Sequence, residues 1–364
     1  MESDPSVTRY TPAPREHIFG SLLGRHWVLI GFVVVVGTAV AATALPLLVY
    51  TVSLAVFGLA HVLAELRYVD SRFSARIGRR LLVGFVTLLA AIVWTRIAYL
   101  AGWIPGNLWM PLELGLVVLL GALVMPILVR RGFFVTLIGV VVLGGIGLGA
   151  ALWPIHTMLA LALLHNLTPV AFLAERLRGR QRRQVMFACL VGFVLVPLFL
   201  ASGVPLAWLM QLDLFAPDLG LFASAGGLDN HMDVFVPPEL MHRQYTALSF
   251  FAAAVYLQCM HYFVVIHVLP RLDSDEQWVT PHNVVRWPKQ FYFLMILVGA
   301  GGVLLLGFVA SFADARGVYG LAAAVHAWIE IPILLLALAL PAEAARRASA
   351  GGAETTPGGS DMPA

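Results

Sequence analysis

Residues 47–66 read LLVYTVSLAVFGLAHVLAEL, and the next residue is Arg67. Twenty residues pass with no Lys or Arg and with two ionisable groups, His61 and Glu65. A helix of that length spans about 30 Å, the thickness of a bilayer's hydrocarbon core. The stretch therefore predicts a transmembrane helix that carries a histidine and an acid into lipid. Runs of the same kind recur. Ten are expected, near 26–44, 47–66, 81–101, 109–129, 132–152, 156–174, 184–204, 246–269, 290–311 and 319–340. The first two leave only Ala41 to Pro46 for a very tight turn.

Composition agrees with this reading. Of 364 residues, 60% are hydrophobic and 12% charged, about half the charged share of a soluble domain. A soluble enzyme, a disordered chain and a nucleic-acid-binding domain are excluded. The fold class expected is an all-α polytopic integral membrane bundle of about ten helices. Residues 1–25 form an N-terminal segment, 26–345 the helical domain and 346–364 a disordered tail. No secretory leader is expected. Cys189 and Cys259 fall in apolar runs and read as buried free thiols, not as a disulfide scaffold.

Cation placement tests the count. Arg9, Arg15 and Arg25 precede the first run; Arg67, Arg72, Arg76, Arg79 and Arg80 follow the second. Similar groups follow the fourth, sixth, eighth and tenth, so 20 of the 23 Lys and Arg lie in alternate connections. Positive charge stays on the cytoplasmic side. Both termini are therefore expected in the cytoplasm, in a bacterial-type inner membrane. The longest outer connection, 205–245, is acidic and includes an apolar stretch, Leu219 to Ala225. Its Asp229, His231 and Asp233 are expected in a solvated loop, and Arg96 is expected to pair with Glu113. No convincing internal repeat is apparent.

Ionisable groups inside a membrane are costly and tend to mark function. His61, His165, His261, His267 and His326 all lie in expected spans, with Glu65 and Glu330 each four residues after a histidine. Residues i and i+4 share a helix face. Counting from flanking arginines, His165, His261 and His326 sit about 15 Å from a membrane boundary and His61 about 9 Å. His267 lies on another face, close to Arg271, and is expected at the interface. His17, His26, His156 and His282 are expected at headgroups or in loops. Neutral imidazole is the commonest metal ligand and suits iron, copper and zinc. Several imidazoles from separate helices could hold one redox metal, with Glu65 and Glu330 ligating or fixing tautomers. An i+4 acid more easily serves another helix's histidine than its own. Asn166, Thr168 and Tyr262 could add hydrogen bonds. Two other uses of the same residues stay open: haem ligation for electron transfer, and a proton relay in a coupled transporter. Structural polar packing is the plainest alternative. The paired-histidine boxes of membrane hydroxylases and desaturases are missing.

Gly58-Leu59-Ala60-His61 followed by Glu65 resembles the Gly-x-x-His-x-x-x-acid element of the bacteriorhodopsin-related (Brp/Blh-type) β-carotene dioxygenases. His165 with Asn166 and Phe172, Tyr256-x-x-Cys259-x-His261, and His326 with Glu330 are similar to that family's other histidine helices. The resemblance rests on these four short segments. It implies a membrane enzyme in which His61, His165, His261 and His326 bind Fe(II). Glu65 and Glu330 would serve catalysis by orienting imidazoles or ligating directly. Its partners would be O2, membrane lipids and a lipid-soluble carotenoid, cleaved centrally to retinal.

Overall fold

The computed structural model describes residues 25–74, 77–218, 226–272 and 284–339. Several expectations fall outside them: those on Arg9, Arg15, His17, Arg76, residues 219–225, His282, Arg346, Arg347 and the tail. The described residues form helices and turns, with no strand among them.

Fourteen helices follow in chain order: α1 Arg25–Ala44, α2 Pro46–Phe73, α3 Arg79–Leu100, α4 Gly106–Ala122, α5 Met125–Arg131, α6 Phe133–Leu152, α7 Pro154–His165, α8 Thr168–Arg176, α9 Gly179–Ala201, α10 Val204–Gln211, α11 Pro238–Met241, α12 Gln244–Leu272, α13 Gln290–Ala310 and α14 Phe312–Ala339. Seven of them, α2, α3, α6, α9, α12, α13 and α14, are long and apolar enough to cross a membrane. The pairs α4/α5 and α7/α8 each bend by 41°, and counting each pair as one span gives nine. The tenth expected run falls on α1, whose apolar part Leu29–Ala44 is shorter. Large apolar side chains such as Phe133, Phe134, Val303 and Leu306 stand exposed on α6 and α13, a surface suited to lipid.

Three helices make the centre. The apolar windows of α2, α12 and α14 are 61, 72 and 56% buried, against 22% for α3, α6 and α13. Small residues permit this closeness. On α12, Ala252, Ala253 and Ala254 are all buried. Where α13 meets α2, a Cβ on Gly301 would stand 3.0 Å from the Val56 carbonyl oxygen. Prolines set several helix starts, since their missing N–H falls where no intrahelical bond is made. Only Leu45, at φ −132 and ψ 55, separates α1 from α2, and α1 packs mainly on α12.

Two helices run past their expected ends. α2 continues to Phe73 instead of stopping at 66. The reason is that Arg67 is buried: it lies over Phe293 at 4.2 Å and donates to Gln290 Oε1 at 2.9 Å. Asp70, one turn on, accepts from the Val284 and Val285 amides and from Trp287 Nε1. The cluster after the second run thus does more than set topology, the role expected of it. α14 begins at Phe312, which places Arg316 inside a helix and not in a connection. Ends of α2, α8 and α12 meet through Arg72–Glu175 at 3.0 Å and Arg176 to the Leu272 carbonyl at 2.8 Å.

Candidate metal centre

The sequence puts a proline just after the α7 histidine. Pro169 has no N–H to offer the His165 carbonyl one turn back, so α7 ends at His165. Thr168 Oγ1 lies 2.8 Å from that carbonyl and 3.1 Å from Glu330 Oε1, so its one hydroxyl proton is shared between the two acceptors. The bend therefore holds His165 at a helix end, turned toward α14. His61 and His326 come from the interiors of α2 and α14. His261 lies three residues before a π-helical turn, Val264–Val268. His267 falls within that turn and is exposed.

Four histidines from four helices converge. One ring nitrogen from each of His61, His165, His261 and His326 lies within 4.8 Å of all the others. His326 Nε2 is 3.1 Å from His61 Nε2 and 3.1 Å from His165 Nε2. His61, His261 and His326 are at most 2% exposed. Glu65, His165 and Glu330 form an overlapping group with the same spacing. Each acid meets a histidine of a different helix: Glu330 Oε2 is 2.6 Å from His165 Nδ1, and Glu65 Oε2 is 3.4 Å from His261 Nε2. Their own i+4 partners turn elsewhere, because a side chain leans along its helix while the neighbouring helix faces it directly.

Hydrogen bonding points these rings at a cation. His165 Nδ1 donates to Glu330, and His61 Nδ1 donates to the Phe57 carbonyl at 3.2 Å. Both rings then present an Nε2 lone pair to His326 Nε2, which carries at most one proton of its own when neutral. Two lone pairs and a third nitrogen at such range repel unless a positive charge lies among them. Both Glu65 oxygens and both His261 nitrogens lack a hydrogen-bond partner, though these side chains are fully buried. Orphaned buried polar groups are expensive. A divalent ion would take one His261 nitrogen and would offset the charge of the buried carboxylates beside it. The residues thus fit a metal ion.

The surroundings separate into two cavities. One, about 430 Å3, is lined by His61, His165, His326, Gln258, Tyr262 and Trp328 among others. The second, about 670 Å3 and largely apolar, lies between α1, α2 and α12. Tyr262 lines both and stacks on His61 at 4.1 Å between centroids. Gln258 Nε2 donates to Ser53 Oγ at 3.1 Å across the same partition. Of the expected helpers, Thr168 reaches Glu330 and Tyr262 stacks on His61, whereas Asn166 bonds its own helix at Ala162 O.

Beyond the centre, Arg96 donates to Glu113 at 2.7–3.0 Å and to the Gly320 carbonyl, while Trp328 Nε1 donates to Glu113 at 2.7 Å. His156 and Glu239 pair at 2.9 Å on an exposed surface, and that hydrogen bond holds the Glu239 carboxyl below its ordinary range. One loop expectation is corrected. Asp229 and Asp233 are exposed, but His231 between them is 2% exposed. Paired 3-10 turns fold it inward against Tyr50 and Phe312, where aromatic contact replaces solvent. Tyr319, Arg316 and Trp328 were not singled out from sequence. Arg316, Tyr319, Ala323, His326 and Glu330 are spaced 3, 4, 3 and 4, so a helical projection from His326 would have found the first two.

No family model, curated protein or solved structure matches the chain.

Proposed function

We propose that this protein is a membrane-embedded, non-haem iron oxygenase that uses O2 to cleave an apolar polyene, with a carotenoid such as β-carotene giving retinal as the leading case. The observation that carries the reading is the convergence of four imidazoles within 4.8 Å beside apolar cavities. We take the bundle to have ten spans, with both termini on the cytoplasmic side of a bacterial-type plasma membrane.

Geometry favours a metal site over other uses of histidine. His326 Nε2 stands 3.1 Å from both His61 Nε2 and His165 Nε2, so these residues would hold one ion between them, and a set of imidazoles with carboxylates beside it suits iron.

His61, His165, His261 and His326 would hold the ion. Bound iron supplies the redox chemistry with O2. The chain's own residues do the rest. Glu330 fixes the His165 tautomer through Nδ1, and the Phe57 carbonyl does the same for His61. Glu65 holds negative charge against His261. Tyr262 props the His61 ring. Apolar walls exclude water, which protects reactive oxygen species. A polyene long enough to fill both cavities would have its middle at Tyr262, beside His61, which is where a central cut falls.

Expression in carotenoid-producing cells tests this. Loss of colour, appearance of a retinoid aldehyde and about one iron per chain are the expected results. His165→Ala should abolish metal loading, while His267→Ala should leave it intact. Retained pigment with no bound iron would remove the proposal.

A further inference from the structure

The smaller cavity has a second polar pole that the iron site does not use. Arg316 lines it at the end away from the histidines, together with Tyr50, Val234 and Phe235. Arg316 and Arg96 both face this cavity, but their situations differ. The donors of Arg96 are taken by Glu113 and the Gly320 carbonyl. Arg316 makes no carboxylate contact among the described residues; its Nη1 meets His231 Nδ1 at 3.4 Å, and the Tyr50 hydroxyl lies beside it. A guanidinium carries five N–H donors, more than these two contacts use, and Arg316 is half-buried on the cavity wall.

The spacing between the poles is fixed by one helix. Arg316 and His326 both line the cavity from α14 and are ten residues apart, which is about 15 Å along the axis. A volume of 430 Å3 over that length leaves a mean section of about 29 Å2, wide enough for one extended hydrocarbon chain. Leu54, Met158, Leu161 and Trp109 supply apolar walls between. A ligand that fits is therefore a conjugated or aliphatic arm with an acceptor oxygen at its far end.

We infer that Arg316 is an end-group site: it donates to a terminal carbonyl oxygen on the ring of a polyene whose middle reaches the four histidines. This rests on the proposed oxygenase reading for the nature of the polyene, and on the cavity alone for the oxygen. Its consequence is that the protein prefers keto-ring polyenes over the parent hydrocarbon. No bond is made or broken at Arg316; the step is binding.

The test uses the full chain in lipid nanodiscs. Binding of β-carotene and of its diketone, canthaxanthin, is measured without metal by quenching of tryptophan emission, since Trp109 and Trp328 face the cavity. The diketone should bind about tenfold or more tightly, the value of a hydrogen bond to a charged donor. Arg316→Met should remove that preference and leave β-carotene binding unchanged, and Arg316→Lys should restore part of it. Equal affinities in the wild type overturn the inference, even where Arg316→Met does not fold. Oleate should not displace the diketone. Displacement that vanishes in Arg316→Met would overturn the assignment to a ring carbonyl in favour of a lipid carboxylate. Cleavage is then measured with Fe(II). Diketone-selective binding without cleavage would sink the oxygenase reading and keep the end-group site. Cleavage of both polyenes at equal kcat/KM with equal affinities would do the reverse.

Discussion

Replacing Glu330 by Gln tests whether a buried carboxylate organises the centre. The side chain keeps its size, and one amide oxygen still accepts from His165 Nδ1, now 2.6 Å from the carboxylate. What disappears is a unit of negative charge. An ion held by His165 Nε2 would lie about 6 Å from that charge, and at an effective dielectric of 20 the attraction is about 3 kcal/mol for each unit of charge on the ion, about twice that for a divalent one. Carboxylates that support metal-bound histidines typically change affinity by about 10- to 100-fold, about 1.4–2.7 kcal/mol, a fraction of that attraction because the surroundings respond when the charge is removed. Thr168, which donates to Glu330 at 3.1 Å, also faces an amide that can turn its NH2 toward it. Glu330→Gln is therefore expected to weaken metal binding by about 30-fold without emptying the site. Co(II) serves as the probe, titrated against a competing chelator in nanodiscs, with visible absorption reporting coordination number. His165→Ala should show no binding and His267→Ala wild-type binding. An affinity for Glu330→Gln within threefold of wild type would falsify the charge argument. Loss of binding as complete as that of His165→Ala would show Glu330 to be a ligand itself.

Arg96→Met leaves Glu113, which is 0% exposed, without its cation, and should lower stability by about 3 kcal/mol in a detergent thermal shift; an unchanged midpoint would make the ion pair incidental. Gly301→Ala forces a methyl to 3.0 Å from the Val56 carbonyl oxygen, whereas Gly302 has nothing within 4 Å. The first variant should lose about 1–2 kcal/mol and the second should be silent, and equal melting curves would refute the close approach of α13 and α2. The Glu239 carboxyl is held low by its bond from His156, so this contact contributes fully above the ordinary glutamate range and is lost as pH falls through the lowered value. Amide protection at residues 239–241, corrected for the intrinsic pH dependence of exchange, should fall on acidification below that range, and a His156→Ala variant should show no such step.

The apolar helices were legible in the sequence because lipid demands long uncharged runs, and each expected run falls on a described helix or bent pair. Helix ends were less legible. Arg67 reads as a boundary, yet its donors find Gln290 and the Phe293 ring, partners more than two hundred residues away. The centre was half legible. The i+4 spacing of His61 with Glu65 and His326 with Glu330 marks two faces, but no local pattern says that each acid meets another helix's imidazole. That exchange follows from how four helices pack. His231 was misjudged because its neighbours are acidic and polar, whereas the turns on either side roll it under them. Arg316 precedes the last expected run, 319–340, whereas α14 begins at Phe312, where Ser311 Oγ meets Asp314 Oδ2 at 2.8 Å.

The exchanged acids bear on biosynthesis. A chain emerging from the ribosome delivers His61 and Glu65 first, His165 next, His261 later, and His326 with Glu330 last. Until the final helix enters the bilayer, His165 lacks the Glu330 carboxylate at its Nδ1, and both His61 and His165 lack the His326 nitrogen opposite. A half-made protein thus lacks part of the nitrogen set, and a chain cut before residue 312 lacks His326 and Glu330 altogether. If the proposed metal is taken up, completion of synthesis becomes its licence, which would keep a reactive ion away from unassembled polypeptide.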